Sequence, residues 1–319
     1  MPMATLHSAE DWIRHFGEAR KPAAVAIGNF DGLHLGHQAI LGGALERARR
    51  DNLLASVLTF YPHPPRVLQP AKAPSLLCTL AQRLAGFQSL GLDAALVVRF
   101  NQQLAKLSPH DFVQKYLFET MRAKAVFVGE NFRFGHQQAG NVKLLREFGR
   151  DWQFEACLVQ PVRVDGEVVS STAIRQAVAD GRMEDAARLL GRPYSLEGEI
   201  RAGTGQGRKL VVPTLNLSTE QELLPKRGVY ATETILGGRQ YPSATNIGVR
   251  PTFDGAGVSI ESHLLDFNEA VTSGRMEVRF RTRLRDEQKF PSFEALREQV
   301  LRDIERTRTY FAKEAAARS

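Results

Sequence analysis

The stretch Gly28-Asn29-Phe30-Asp31-Gly32-Leu33-His34-Leu35-Gly36-His37 gathers residues suited to phosphate chemistry. Gly28, Gly32 and Gly36 let a backbone take positive φ or come close to a ligand. His34 and His37 flank a glycine three residues apart and can donate hydrogen bonds to phosphate oxygens. A helical pattern follows at once, with Ile40, Leu41, Ala44, Leu45 and Ala48 on one face. The N-terminus of such a helix offers unpaired N–H groups and a partial positive charge. The plainer alternative is a tight strand-to-helix turn whose histidines merely sit at the surface. No Gly-Lys-Ser/Thr follows the glycines, so this is not a P-loop, and the spacing is not G-x-G-x-x-G.

Three other stretches carry polar groups in patterns that can do work. Ser170-Ser171-Thr172 opens a helical pattern and Arg175 follows one turn later, which makes a second anion site or an ordinary N-cap. Gly203 to Arg208 offers backbone N–H groups to phosphates, or is a hairpin. Arg279, Arg281, Arg283 and Arg285 alternate with Val278, Phe280 and Leu284. That arginine row fits an anionic partner or a solvated outer strand face, and the second is preferred.

The elements that must position these residues follow from periodicity. Ala23–Ile27, 53–60, 94–98, 124–128 and 154–159 read as strands. Helices are expected after His37 to about Arg50, from Thr79 to a stop at Gly91, from Ser108-Pro109, and over 142–148. Pro62, Pro64 and Pro65 predict a loop. Alternating strands and helices mean a parallel, doubly wound sheet, whose ligands lie beyond the carboxyl ends of the strands. Near Tyr194 the period changes from about 3.6 to 2. Segments 195–201, Gly228–Leu236, 240–249, 258–267 and 277–285 read as strands, and a last helix opens at Pro291-Ser292. The expected fold class is α/β plus β: an N-terminal Rossmann-like domain over 1–193, and a small antiparallel β-barrel with a closing helix over 194–319.

Composition narrows the function classes. A chain of 319 residues is long for one core. No apolar run approaches the roughly 20 residues that span a bilayer, and no signal peptide or membrane partner is expected. Cys78 and Cys157 make no metal-like spacing and are expected to be reduced, buried thiols in the cytoplasm. The net charge of +7 favours anionic partners, nucleotides or nucleic acid. No zinc-finger spacing, RRM signature or basic tail supports nucleic acid.

His34-Leu35-Gly36-His37 looks like the H-x-G-H signature of the nucleotidyltransferases, and the whole ten-residue stretch resembles the bacterial bifunctional riboflavin kinase/FAD synthetase family. Further matches fall in order: Tyr61-Pro62-His63-Pro64, Val128 to Gly135, Ser170 to Arg175, Pro213-Thr214-Leu215-Asn216, Gly228-Val229-Tyr230, Asn246 to Phe253 and Glu261 to Phe267. The resemblance implies a kinase that makes FMN from riboflavin and ATP, and an adenylyltransferase that makes FAD and pyrophosphate from FMN and a second ATP. It implies His34, His37 and Asn131 as catalytic residues of adenylyl transfer and Glu261 as the base of the kinase. Nucleotide binding falls to Gly28, Phe30, Gly36, Ser171, Thr172, Arg175 and Gly207. Thr214 and Asn216 match positions that hold Mg²⁺, which otherwise arrives on ATP.

The chain departs from the family pattern at three places. Val211 stands where a glycine usually precedes the Pro-Thr pair, Ala270-Val271-Thr272-Ser273 replaces an Asp-Leu-Tyr-Gly-like segment, and Val168 replaces a basic residue. These departures keep a second reading open, an FAD synthetase whose kinase-like domain binds flavin but phosphorylates it poorly. A flavin carrier without activity and a basic RNA-binding protein are the remaining rivals.

Overall fold

The structure, a computed structural model, describes residues 2–201, 212–252 and 255–318. Gly207, the rest of the 203–208 stretch and Val211 lie outside the described residues. The chain divides into two compact units, Met1–Ser170 and Ser171–Ser319.

In the first unit, β1 (Ala4–Leu6), α1 (Ala9–Phe16), β2 (Ala23–Ile27), α2 (Leu35–Asp51), β3 (Leu54–Tyr61), α3 (Pro64–Leu68), α4 (Leu80–Leu90) and β4 (Ala94–Arg99) follow one another. The short helices α5 (Gln102–Ala105) and α6 (Pro109–Phe112) come next, then β5 (Ala123–Gly129), α7 (Val142–Asp151) and β6 (Glu155–Val159). The six strands form one sheet in the order β1-β4-β3-β2-β5-β6. Every pair in it is parallel. Both faces are covered, which is why β2 is apolar and buried at all five positions. Strand alternation sends Ala24, Ala26, Val57, Ala95 and Phe127 into one core with Leu41 and Leu45 of α2 and Phe87 of α4. It sends Val25, Ile27, Leu58, Leu96 and Val126 into another with Trp12, Leu117 and Leu145. Two-residue strands β7 (Arg163–Val164) and β8 (Glu167–Val168) make a small antiparallel ribbon.

Several expectations need correction here. β1 and α1 were not foreseen; three residues are too few to show a period, although Ser8 caps α1 through the Asp11 N–H. Pro64 and Pro65 start α3 instead of holding a loop, because proline suits the first helical turn. The helix opened by Ser108 and Pro109 widens into a π-helix over Val113–Thr120.

The second unit opens with α8 (Ser171–Asp180) and α9 (Met183–Leu190). Strands β9 (Tyr194–Arg201), β10 (Leu215–Ser218), β11 (Gly228–Leu236), β12 (Arg239–Thr252), β13 (Gly255–Leu264) and β14 (Arg275–Arg285) follow, and α10 (Phe293–Arg318) ends it. The strands close into a barrel in the order β10-β13-β12-β11-β14-β9. All its pairings are antiparallel. Leu196, Leu215, Ile247, Ile260, Val278 and Phe280 are buried in it. A run of buried hydroxyls joins three strands: Thr234 to Ser243 (2.8 Å), Ser243 to Thr232 (2.8 Å), Thr232 to Thr245 (2.7 Å) and Thr245 to Ser262 (2.8 Å). Each hydroxyl is satisfied inside the fold, so the polar interior carries no desolvation penalty of an unpaired group.

The packing division after Ser170 precedes the change of period at Tyr194, because α9 buries Met183, Ala186, Leu189 and Leu190 beside β9 and β14. The arginine row is ion-paired. Arg279 meets Glu277 (2.9 Å), Arg281 meets Glu233 (2.8 Å), Arg283 meets Asp286 (2.6 Å) and Arg285 meets Asp303 (2.8 Å). Cys78 is buried and Cys157 only half-buried; burial pushes the Cys157 thiol up to about 11, so it stays protonated at neutral pH.

Candidate active sites

From β2 the chain goes to β3 and β4 on one side of the sheet and to β5 and β6 on the other. The ligand crevice of such a sheet lies at that reversal, beyond the ends of β2 and β5. The Gly28–His37 turn follows β2, and the Asn131 turn follows β5. His63 stands at the N-cap position of α3, just after β3, without a side-chain capping bond. Three of the sequence motifs thus end on the same edge.

Within the turn, only Gly32 of the three glycines takes positive φ (85°); Phe30 (53°) and Leu33 (46°) take it as well. Gly36 already lies in α2. Phe30 is fully buried, with its ring edge-on to Phe87 (5.6 Å) and to His37 (5.4 Å). It anchors the turn; its ring presents no surface to a nucleotide. The Asp31 carboxylate is buried and accepts N–H bonds from Leu77 (3.0 Å) and Cys78 (3.3 Å), while the Gly32 N–H donates to Cys78 Sγ (3.1 Å).

His34 is the N-cap of α2: its Nδ1 accepts the His37 N–H at 3.2 Å. An accepting Nδ1 requires the neutral ring with its proton on Nε2. The His34 and His37 rings stack at 3.5 Å and 17°. The first turn of α2 contains no acidic residue, so its N–H groups and dipole favour an anion unopposed. Asn131 is exposed in the turn after β5, where Phe132 stacks on Phe134.

In the second unit, Ser171, Thr172 and Arg175 lie in the first turn and a half of α8, half-buried, exposed and half-buried. Thr214 immediately precedes β10, and Asn216 lies on it. Asn216 pairs directly with Glu261 of β13, and Glu261 pairs with Asn246 of β12. Directly opposed residues share a face, so Asn216, Glu261 and Asn246 stand abreast. All three are half-buried, while Leu215 and Ser262, next to them, point inward and are buried. The His263 Nδ1–H donates to the Pro213 carbonyl (2.8 Å), which ties the segment bearing Thr214 to the strand bearing Glu261. Sequence reasoning missed Asn246 and His263 as site residues, since only the strand register brings them beside Glu261. Among the described residues no three His, Cys, Asp or Glu side chains cluster as a metal site. The oxygen donors of Thr214 and Asn216 beside a carboxylate fit a hard cation such as Mg²⁺.

A parallel sheet with a histidine-capped helix start at its switch point, followed by a barrel that opposes a carboxylate to carboxamides, fits a two-unit transferase of phosphorus-containing groups, the class that both family matches give. Residues 17–173 match the FAD synthetase family and residues 190–311 the riboflavin kinase family. The chain is 36% identical over 301 residues to the bifunctional riboflavin kinase/FMN adenylyltransferase of Escherichia coli K12, covering 94% of this chain and 96% of that one. It is 38% identical over 290 residues to the protein of the same name from Pseudomonas fluorescens, covering 91% and 93%. A crystal structure from Streptococcus pneumoniae described as a macrolide-efflux protein shares the fold at TM-score 0.84 and 28% identity, covering 97% of this chain and 99% of that one. Among the described residues no helix is long and apolar enough to cross a membrane. This chain belongs to the bifunctional riboflavin kinase/FMN adenylyltransferase family.

Proposed function

We propose that this chain makes FAD in two steps, phosphorylating riboflavin to FMN with one ATP and adenylylating FMN with another. The observation that carries this reading is that the chain matches both families: the FAD synthetase match spans His34, His37, Asn131, Ser171 and Thr172 and stops two residues before Arg175, and the riboflavin kinase match spans Thr214, Asn216 and Glu261. We assign adenylyl transfer to 1–193 and the kinase to 194–319. ATP, riboflavin, FMN and FAD are the partners, and the cytoplasm is the compartment.

In adenylyl transfer an FMN phosphate oxygen attacks the α-phosphorus of ATP in line, and pyrophosphate leaves. Positioning and charge neutralisation carry such a step. His34, through Nε2–H, and His37 donate to phosphate oxygens, and the N–H groups opening α2 hold an anion. Asn131 donates without adding negative charge. Ser171, Thr172 and Arg175 serve the polyphosphate, and Gly28 and Gly36 serve the nucleotide through their backbone, since the Phe30 and His34 rings fill the space beside them.

In the kinase step Glu261 takes the proton of the riboflavin 5′-hydroxyl, whose oxygen attacks the γ-phosphorus while ADP leaves. Thr214 and Asn216 would hold Mg²⁺ by oxygen, and the bound ion supplies neutralisation of phosphate charge. Gly207 serves the nucleotide through its backbone.

The test is direct. Pure protein is incubated with riboflavin, ATP and Mg²⁺, and the flavins are separated. FMN followed by FAD is expected. FAD formed only when FMN is supplied leaves the chain an FAD synthetase alone, and no turnover at all overturns the reading.

A further inference from the structure

The anion turn does not hold itself. Its backbone from Asn29 to Leu33 lies on a bed made by residues 77–87. The amides of Leu77 and Cys78 bind the Asp31 carboxylate. One face of α4 then presents Arg83, Gly86 and Phe87, spaced three and four residues apart. Phe87 receives the Phe30 ring. Gly86 leaves space for Leu33, since a Cβ there would meet Leu33 Cδ1 at 2.1 Å. Arg83 reaches the backbone itself: its Nη1 donates to the Asn29 carbonyl and to Thr59 Oγ1 (3.4 Å), and Thr59 Oγ1 donates to the same carbonyl (3.4 Å).

Arg83 is 3% exposed. Burial depresses its guanidinium pKa, and Cys78, Asp31 and Tyr61 pull it back up. Its Nε is buried with no hydrogen-bond partner among the described residues. A buried N–H left unpaired costs stability. Local violations of this kind gather where a fold serves function.

Resting on the reading of the Gly28–His37 turn as the adenylyl-transfer site, we infer that Arg83 is the positioning residue of that turn: with Thr59 it fixes the Asn29 carbonyl, and so sets where His34 and His37 stand. Asn29 lies five residues before His34 on a backbone held at Phe30, Asp31 and Leu33, which leaves that segment little freedom to absorb a shift. Arg83 does not touch the reacting groups. A displaced pair of donors loses contact with the transition state first, because misplacement by about 1 Å can cost on the order of 10²-fold in rate.

The experiment uses the full chain with Arg83→Met, Arg83→Lys, Thr59→Val and His37→Ala, each assayed for both activities with far-UV circular dichroism as a check on folding. Arg83→Met is expected to lower kcat for FMN adenylylation by roughly tenfold to a hundredfold, with the KM values for ATP and FMN and riboflavin phosphorylation close to wild type. Arg83→Lys keeps one donor and the charge and is expected to recover most of that loss. Thr59→Val, which removes the second donor at similar volume, is expected to lower the same kcat more mildly. Wild-type adenylylation in Arg83→Met and Thr59→Val overturns the proposal. A rise in KM for ATP alone overturns it in favour of direct nucleotide binding. Loss of helicity in Arg83→Met that Lys does not restore, with Thr59→Val unaffected, overturns it in favour of a fold-only role. Persistent adenylylation in His37→Ala overturns the assignment of the turn, and the Arg83 proposal with it.

Discussion

One ring of His34 has two uses that a substitution can separate. Its Nδ1 caps α2, and its Nε2–H is the donor proposed for adenylyl transfer. Asparagine is a good N-cap without an imidazole. His34→Asn is therefore expected to keep thermal stability near wild type, where His34→Ala loses about 1 kcal/mol. FAD formation from FMN is expected to fall by about 10²-fold or more in both. Melting curves beside flavin assays check this, and full activity in His34→Asn would mean the ring serves only as a cap. Glu261 is the corresponding residue of the barrel. Glu261→Ala is expected to lower riboflavin phosphorylation by about 10²- to 10⁴-fold with FMN adenylylation nearly unchanged. Equal rates for variant and wild type would remove its role as base. At this scale the sequence exposes residues that motifs carry, His34, His37, Asn216 and Glu261. It hides Arg83, Asn246 and His263, whose roles depend on partners 54, 15 and 50 residues away in the chain, Asn29, Glu261 and Pro213. No local pattern encodes such a pairing.

Elements with their own punctuation were legible. Thr79 and Gln82 form the expected capping box, and Gly91 ends α4 in the left-handed conformation. Gly228–Leu236 forms over its expected span. Elements with weaker marks were not: α9 starts without a side-chain cap, although Gly191 ends it in the left-handed conformation, and β10 is four residues long. Pairing also settled the arginine row. The most buried of those pairs joins two elements, Arg285 of β14 and Asp303 of α10, where the Asp303 side chain is 4% exposed and also accepts from Gln299 (2.9 Å). Removing one member of a buried pair leaves the other charge uncompensated. Asp303→Ala is expected to destabilise the barrel unit by about 3 kcal/mol in urea unfolding. A change below about 0.5 kcal/mol would place this pair with ordinary surface bridges.

At the scale of the whole chain, the change of period at Tyr194 marks where the barrel strands begin, and packing puts the start of their unit earlier. Sequence periodicity reports which face of an element is apolar, not which neighbour covers it. Met183, Ala186, Leu189 and Leu190 of α9 are at most 2% exposed and lie beside β9 and β14. Lys226 N–H donates to the Val178 carbonyl of α8, and Tyr230 packs against the Arg283 guanidinium close to Gly181. A fragment starting at Ser195 uncovers that apolar surface. Each large apolar side chain returned to water costs about 1.5–3 kcal/mol, a sizeable share of a small domain's stability. A fragment of residues 171–319 is therefore expected to unfold cooperatively at a clearly higher urea midpoint than a fragment of residues 195–319. Kinase activity is expected to follow the folded fraction in both. Matching midpoints would show that α8 and α9 add nothing to the barrel and that its boundary lies at Tyr194. A 171–319 fragment that folds cooperatively and still fails to phosphorylate riboflavin would instead count against the kinase assignment, because the barrel, Glu261, Asn216 and Thr214 are all inside it.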